Sequence, residues 1–322
     1  MRSDRRRLVA AVALAVVLAG GCTSTPPATS APSPPAPTPA QASAEPPPPT
    51  NTETPYASAP PMTETVDFAN QLEDIGTAKF TNPTTIDNTW FPLTPGTQYV
   101  YEGFTEEAGE RKAHRLTITV TGLTKTVNGV QTRVVWDQDH ADGVLEEAEL
   151  ALFAQADDRN IWHFGQYPEV YDEQGAVTEN PSWVAGIAGA RPGITIKEQP
   201  QLGGPSYSQG WSPTVPWTDR ARVGQVGVKD CVPQGCYQNG IVTEEFSREE
   251  PNAFQLKYYA PGVGNTRVDF AGQDQTREQL QLVSVTTLDA AGLADANAKA
   301  LALERSGFKR SRAVWALTEP AA

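Results

Sequence analysis

The sequence predicts a mainly β protein, an antiparallel meander sheet with one helix at its C-terminal end. Three observations lead there. Apolar residues recur with period two along most of the second two thirds of the chain. Two-residue turn signals, Asn128-Gly129 and Asp142-Gly143, join successive periodic runs. Only one long run is helical in character, and it lies near the C-terminus.

In chain order, residues 1–21 have the three-part form of a secretory signal. A basic head (Arg2, Arg5, Arg6, Arg7) precedes eleven apolar residues, Leu8 to Leu18, and Ala19, Gly20 and Gly21 lead into Cys22. A membrane-spanning helix requires about 20 apolar residues, so this run reads as a cleavable signal and not as an anchor. A small-residue site that stops at a cysteine predicts acylation of the Cys22 thiol, by palmitate or a similar chain, and cleavage in front of it. Leu18 to Cys22 resembles the bacterial lipobox, with Ala19 where leucine is usual. The expectation is an exported protein held on the membrane through Cys22, facing outside the cytoplasm.

Residues 22–62 follow as a tether. Fourteen of the chain's 28 prolines fall between 23 and 62, set among Ala, Thr and Ser. Such a segment buries too little apolar surface to fold, and its prolines favour extended polyproline II. Its fully extended limit is on the order of 120 Å.

Residues 63–322 remain for a single β-rich extracytoplasmic domain, uninterrupted by a second linker of that composition. A short helix is expected around 65–73. In 113–121, His114, Leu116, Ile118 and Val120 share one face, while Arg115, Thr117, Thr119 and Thr121 share the other. Strands follow at 130–140 and 144–155, and the turn Asp157 to Asn160 leads into 161–164. Residues 173–222, rich in Gly, Pro, Ser and Trp, read as long connections with short strands crossing the sheet. Strands resume at 222–229, 236–247, 253–260, 265–270 and 278–287. An Ala- and Leu-rich run from Asp289 to about Arg305, capped by Asp289 and ending before Gly307, completes the domain as a helix over the sheet.

Cys231 and Cys236 flank a Pro-Gln-Gly turn signal, so a disulfide closing a short hairpin is expected in an oxidising compartment. Four intervening residues do not fit the Cys-x-x-Cys spacing of thiol oxidoreductases. The net charge is −13, and near −16 without the basic signal. That disfavours nucleic acid and anionic lipid head groups as partners.

Several strings carry a resemblance as a set. Phe80 to Asn88 leads into Trp90-Phe91-Pro92-Leu93-Thr94-Pro95-Gly96-Thr97 and then Tyr99 to Gly103. Ala154-Gln155, Asn160 to Gly165, and Lys257-Tyr258-Tyr259-Ala260-Pro261-Gly262-Val263-Gly264 come later. Together they resemble an uncharacterised family of bacterial secreted proteins and lipoproteins that open on Pro-Leu-x-Pro-Gly and close on Tyr-Ala-Pro-Gly-Val-Gly. The match spans about 78 to 285. The resemblance implies a curved sheet, similar more loosely to half-barrel lipoprotein carriers, and no established activity. Ala151, Ala156 and Gln166 stand where such proteins tend to have acids, which puts any role of those acids in doubt here.

No pattern designates a catalytic residue, a metal ion or a cofactor. Gly-x-Ser-x-Gly and His-Glu-x-x-His are both missing from the sequence. Asp137, Asp139, Asp142, Glu146, Glu147 and Glu149 bring oxygens together as calcium sites do, but Gly143 comes too early for an EF-hand loop. The cluster reads as the solvated end of a hairpin. His114, His140 and His163 differ in phase and sit in no ligand motif. Trp90, Tyr101, Trp162, Phe164, Tyr258 and Tyr259 flank turns and strand ends; they are candidates to line an apolar pocket, with core packing as their alternative use. The functional expectation is a non-catalytic binding module for an apolar ligand or an envelope partner. A structural envelope protein making protein contacts, or a carboxylate-dependent hydrolase of envelope polymers, are the alternatives.

Overall fold

The computed structural model describes residues 65–215 and 217–322. The signal (1–21), Cys22 and nearly all of the region before the domain, including the tether (22–62), lie outside the described residues.

Thr97–Glu107 (β1), Glu110–Val127 (β2), Val130–Ala141 (β3), Val144–Gln155 (β4) and Ile161–Tyr171 (β5) form a first antiparallel meander. Five short strands follow: Val177–Glu179 (β6), Trp183–Val184 (β7), Arg191–Ile196 (β8), Tyr207–Ser208 (β9) and Gly210–Trp211 (β10). A second meander runs through Arg220–Val232 (β11), Gly235–Phe246 (β12), Ala253–Ala260 (β13), Gly264–Gly272 (β14) and Thr276–Thr287 (β15). The meanders join where β1 pairs antiparallel with β15, Thr97 opposite Thr287. The result is one curved, unclosed sheet of order β10-β8-β5-β4-β3-β2-β1-β15-β14-β13-β12-β11-β9.

Turn chemistry sets the registers. Asn128 and Gly129 have φ of 50° and 79°, and Asp142 and Gly143 have 49° and 81°. Two successive positive φ values give a type I′ turn, whose twist matches that of the flanking strands. Val127 therefore faces Val130, and Ala141 faces Val144. Cys231 faces Cys236 across the β11–β12 hairpin and the two form the expected disulfide.

β9 and β10 occupy opposite ends of the strand order, yet Gln209 alone separates them in sequence. Residues 207–211 thus act as a strap between the two edges of the curled sheet. Tyr207 and Ser208 pair with Ala221 and Arg220 of β11, while Gly210 and Trp211 pair with Pro192 and Arg191 of β8. The strap passes so close to β8 that a Cβ on Gly193 would lie 2.1 Å from the Gly210 nitrogen.

Ala290–Arg310 (α1) starts at Asp289, whose carboxylate accepts from the Gly292 N–H at 2.7 Å. The helix covers the outer face. Ala296, Ala300 and Leu303, with Trp315 just beyond, join a buried cluster containing Leu150, Leu152, Trp162, Phe164 and Tyr167. Lys125 is buried here too, its Nζ 2.7 Å from Glu304 Oε1.

Two helix expectations are corrected. Gly307 does not end α1; it gives clearance to Trp315, since a Cβ there would lie 2.7 Å from Trp315 Cδ1 and 3.1 Å from Tyr167 Cε1. Residues 65–73 form turns, not a helix. The Asp67 carboxylate accepts from the Ala69 N–H at 3.2 Å and from Asn70 Nδ2 at 2.8 Å, local bonds that compete with helix formation.

Candidate functional site

Strand alternation puts Tyr99, Tyr101, Leu116, Ile118, Val135, Ala151, Phe153 and Val268 on the inner face of the sheet. The chain before β1 folds over one end of that face with Phe91, Pro92 and Leu93. Asn88 Oδ1 fastens it by accepting from the Trp90 and Phe91 N–H groups at 2.7 and 3.0 Å. Glu198 accepts from the Thr89 N–H and hydroxyl at 2.9 and 2.8 Å. A cavity of about 190 Å³ lies between these walls.

The strings that carry the family resemblance meet at this cavity. The Gly262 N–H donates to the Thr89 carbonyl at 2.7 Å. The Tyr99 hydroxyl donates to the Pro92 carbonyl at 3.0 Å, and that of Tyr101 to the Asn265 carbonyl at 2.9 Å.

Polar groups share the lining of the cavity with these apolar ones. Asp137, Glu149, His163, Gln166, Gln209, Asp219, Glu245 and Lys257 line it. Asp137 faces Glu149 in the β3–β4 register, which places their Cβ atoms roughly 5 Å apart. The neighbouring rung pairs Ala151 with Gln166. Lys257 Nζ lies 2.8 Å from Glu245 Oε2, and Glu245 Oε1 accepts from Gln209 Nε2 at 2.9 Å. Asp137 Oδ1 is buried without a hydrogen-bond partner among the described residues.

Burial governs the protonation of these groups. It pushes the Asp137 carboxyl up to about 7, with Asp139 adding to the effect and Lys257 opposing it. It raises Glu149 well above the usual carboxylate range, assisted by Glu147 and Asp137. His163 is pushed down to about 3 by burial, so its ring is neutral, and its Nε2–H donates to the Gly165 carbonyl at 3.1 Å. The ring stacks on Phe153 with centroids 4.9 Å apart.

A second polar group continues along the inner face. His114 Nε2 meets Asp139, and its Nδ1 lies 3.1 Å from Glu278 Oε1. The contact spans β1 at Gly103, which faces His114 on one side and Leu280 on the other. Burial opposes protonation of His114, but the hydrogen bonds to Asp139 and Glu278 outweigh it and hold the ring at about 10. Burial lifts Glu147 to about 8, with Asp139 and Asp137 contributing. The acidic cluster is therefore only in part the solvated hairpin end expected from sequence, with Asp142 exposed at the turn and the rest drawn inward. Asp139 and Glu147 are only 4% and 6% exposed, because the curled sheet brings the β13 and β15 side over them. Among the described residues no group of His, Cys, Asp and Glu side chains has an arrangement fit to hold a metal ion.

Of the six aromatic candidates, Tyr101 and Tyr259 line the cavity. Trp90 packs against the inner-face cluster and donates from Nε1 to the Glu198 carbonyl at 3.0 Å. Trp162 and Phe164 belong to the outer-face cluster beneath α1, as strand alternation requires once His163 points inward. Tyr258 is half-buried, with the Arg267 guanidinium 5.2 Å from its ring centre. Ala151 and Gln166 line the cavity, and Ala156 lies in the outer-face cluster. The sequence reading missed Asp137, Glu149, Gln166 and Lys257 as lining. Their phase, two residues from the inward Val135, Ala151 and Tyr259, is the signal that would have found the first two and the last.

No protein-family model matches the sequence, and no curated protein matches it. Two solved structures are similar in part. A protein of Bacteroides fragilis, described as exported and of YmcC-like fold, gives a TM-score of 0.38 at 11% identity and covers 62% of this chain and 100% of its own. A protein of Parabacteroides distasonis, described as a lipoprotein, gives 0.29 at 10% identity, again with 62% and 100% coverage. Both likenesses are remote. Among the described residues no helix is long and apolar enough to cross a membrane.

Proposed function

We propose that the chain is an exported protein tethered to the membrane through acylated Cys22, and that it works as a non-catalytic binding module whose inner-face cavity holds a small amphipathic ligand. The cavity carries this reading. Tyr99, Tyr101 and Phe153 give it apolar wall, and Asp137, Glu149 and Gln166 give it polar wall among them. Folded cores are close-packed, so a space of about 190 Å³ with both apolar and polar lining suits a ligand that carries both.

The alternatives have less behind them. A protein-contact role would favour a contiguous exposed apolar patch, whereas among the described residues only Val144, Leu202, Val226 and Leu317 are large, apolar and exposed. Asp137 and Glu149 give the hydrolase reading a carboxyl pair, but Asp137 is held at about 7 and Glu149 is raised well above the usual carboxylate range, which leaves that pair short of an ionised nucleophile or base near neutrality.

Native mass spectrometry of the full chain in lipid nanodiscs tests the reading. The expected result is an extra mass that organic extraction removes and that Ala151→Phe, which fills the cavity, does not carry. A bare protein, or an extra mass retained by Ala151→Phe, would overturn it.

A further inference from the structure

We infer that the polar end of the ligand is a protonated amine, received by the carboxyl groups of Asp137 and Glu149 and the side-chain oxygen of Gln166. The inference rests on the cavity reading and gives it a chemical class.

The first argument is charge. Four carboxyl groups line the cavity, on Asp137, Glu149, Asp219 and Glu245, against one lysine, Lys257. That lysine is engaged with Glu245 at 2.8 Å. His163 is neutral and supplies no compensating charge. A ligand bearing a carboxylate or phosphate would find no cation left unpaired in this wall, while a cation would find carboxyl oxygens to pair with.

The second argument is hydrogen bonding. Gln166 is 4% exposed and lines the cavity, yet its side chain has no hydrogen-bond partner among the described residues. Asp137 Oδ1 is likewise buried without a donor. Asp137 stands opposite Glu149, and Gln166 opposite Ala151, whose short side chain leaves space above the rung. An ammonium group has three donor hydrogens and no acceptor, which matches a wall that offers oxygens. A hydroxyl would satisfy part of the hydrogen bonding and none of the charge.

Burial adds a signature. Asp137 sits at about 7 and Glu149 higher, so both hold protons near neutrality in the absence of a cation. Asp139 and Glu147 face these carboxyls and reinforce the effect, and the Lys257 charge opposes it. The Tyr101 hydroxyl also faces Asp137. An arriving ammonium favours the ionised forms, so binding expels protons.

The test is calorimetric titration of the full chain in lipid nanodiscs, with protein-free nanodiscs as blank. The probes are octylamine, octan-1-ol and octanoate near neutral pH, in two buffers of different ionisation enthalpy. Octylamine should bind about tenfold or more tightly than the other two, with proton release. Asp137→Asn should remove that margin. Gln166→Glu should widen it, which keeps the test open should Asp137→Asn not fold. Octan-1-ol equalling octylamine, or a margin that neither substitution moves, overturns the amine. Failure of all three probes overturns the cavity reading beneath it.

Discussion

The side-chain amide of Gln209 donates to Glu245 at 2.9 Å and, through the same nitrogen, to the Thr195 carbonyl at 3.2 Å. Gln209 is the residue between β9 and β10, so these bonds tie the strap to β12 and β8 at once. Gln209→Ala should cost about 1–3 kcal/mol, since it leaves buried partners short of a donor. Urea denaturation reads the loss, and hydrogen exchange should localise it to 207–211. Unchanged protection there would mean that the backbone pairing alone holds the strap.

Gly307→Ala sets propensity against packing. Alanine is better than glycine in a helix by about 1 kcal/mol, but the added Cβ would lie 2.7 Å from Trp315 Cδ1. Packing should win, with a net destabilisation of about 1–3 kcal/mol. A melting temperature at or above that of the parent would show that Trp315 yields easily.

Stability should fall as pH rises above about 6.5. Asp137 and Glu147 are held at about 7 and about 8 against ordinary values of 3.8 and 4.5, and His114 at about 10 against 6.5. All three bind a proton more tightly when folded. Each contribution is complete below the ordinary value and is lost as pH climbs through the folded one. The three losses run in the same direction, and His163, held at about 3 against 6.5, works the other way only up to about pH 6.5. The melting temperature should therefore drop between about pH 6.5 and about pH 9, by roughly 5 °C or more. Asp137→Asn with Glu147→Gln should flatten the lower part of that profile and leave the His114 limb. A parent profile that rises over this range would contradict the burial argument.

The Cys231–Cys236 bond closes a very short loop at a hairpin end. Chain entropy assigns such a loop about 2 kcal/mol. Replacing both cysteines by serine should lower stability by about that amount, read by denaturant titration, and leave the remaining sheet intact by circular dichroism.

Much of this fold is legible along the chain, because much of it is local. Asn128-Gly129 and Asp142-Gly143 fix two hairpins by their backbone preference, and Asp289 caps the helix where the sequence says it should. What escapes is what depends on distant partners. Gly307 looks like a stop until Trp315 is seen against it. The acids of β3 and β4 look solvated until the curl of the sheet brings Lys257 and Glu278 to the same face. The phase of the aromatic candidates escapes for a related reason: Tyr101 and Tyr259 line the cavity, while Trp162 and Phe164 lie in the cluster beneath the helix, and only an inward neighbour such as His163 fixes that phase.

The join between β1 and β15 bears on how the chain folds. Each meander is a run of hairpins whose pairing residues are near in sequence, but Thr97 must find Thr287. Closing so long a loop is slow compared with zipping a hairpin, so this seam sets the pace. On a chain made N-terminus first, β1 pairs early with β2 and presents its other edge bare until β15 arrives. Glu102, Glu106 and Glu107 charge that waiting edge, and charges there deter a strand of another molecule from taking the place of β15.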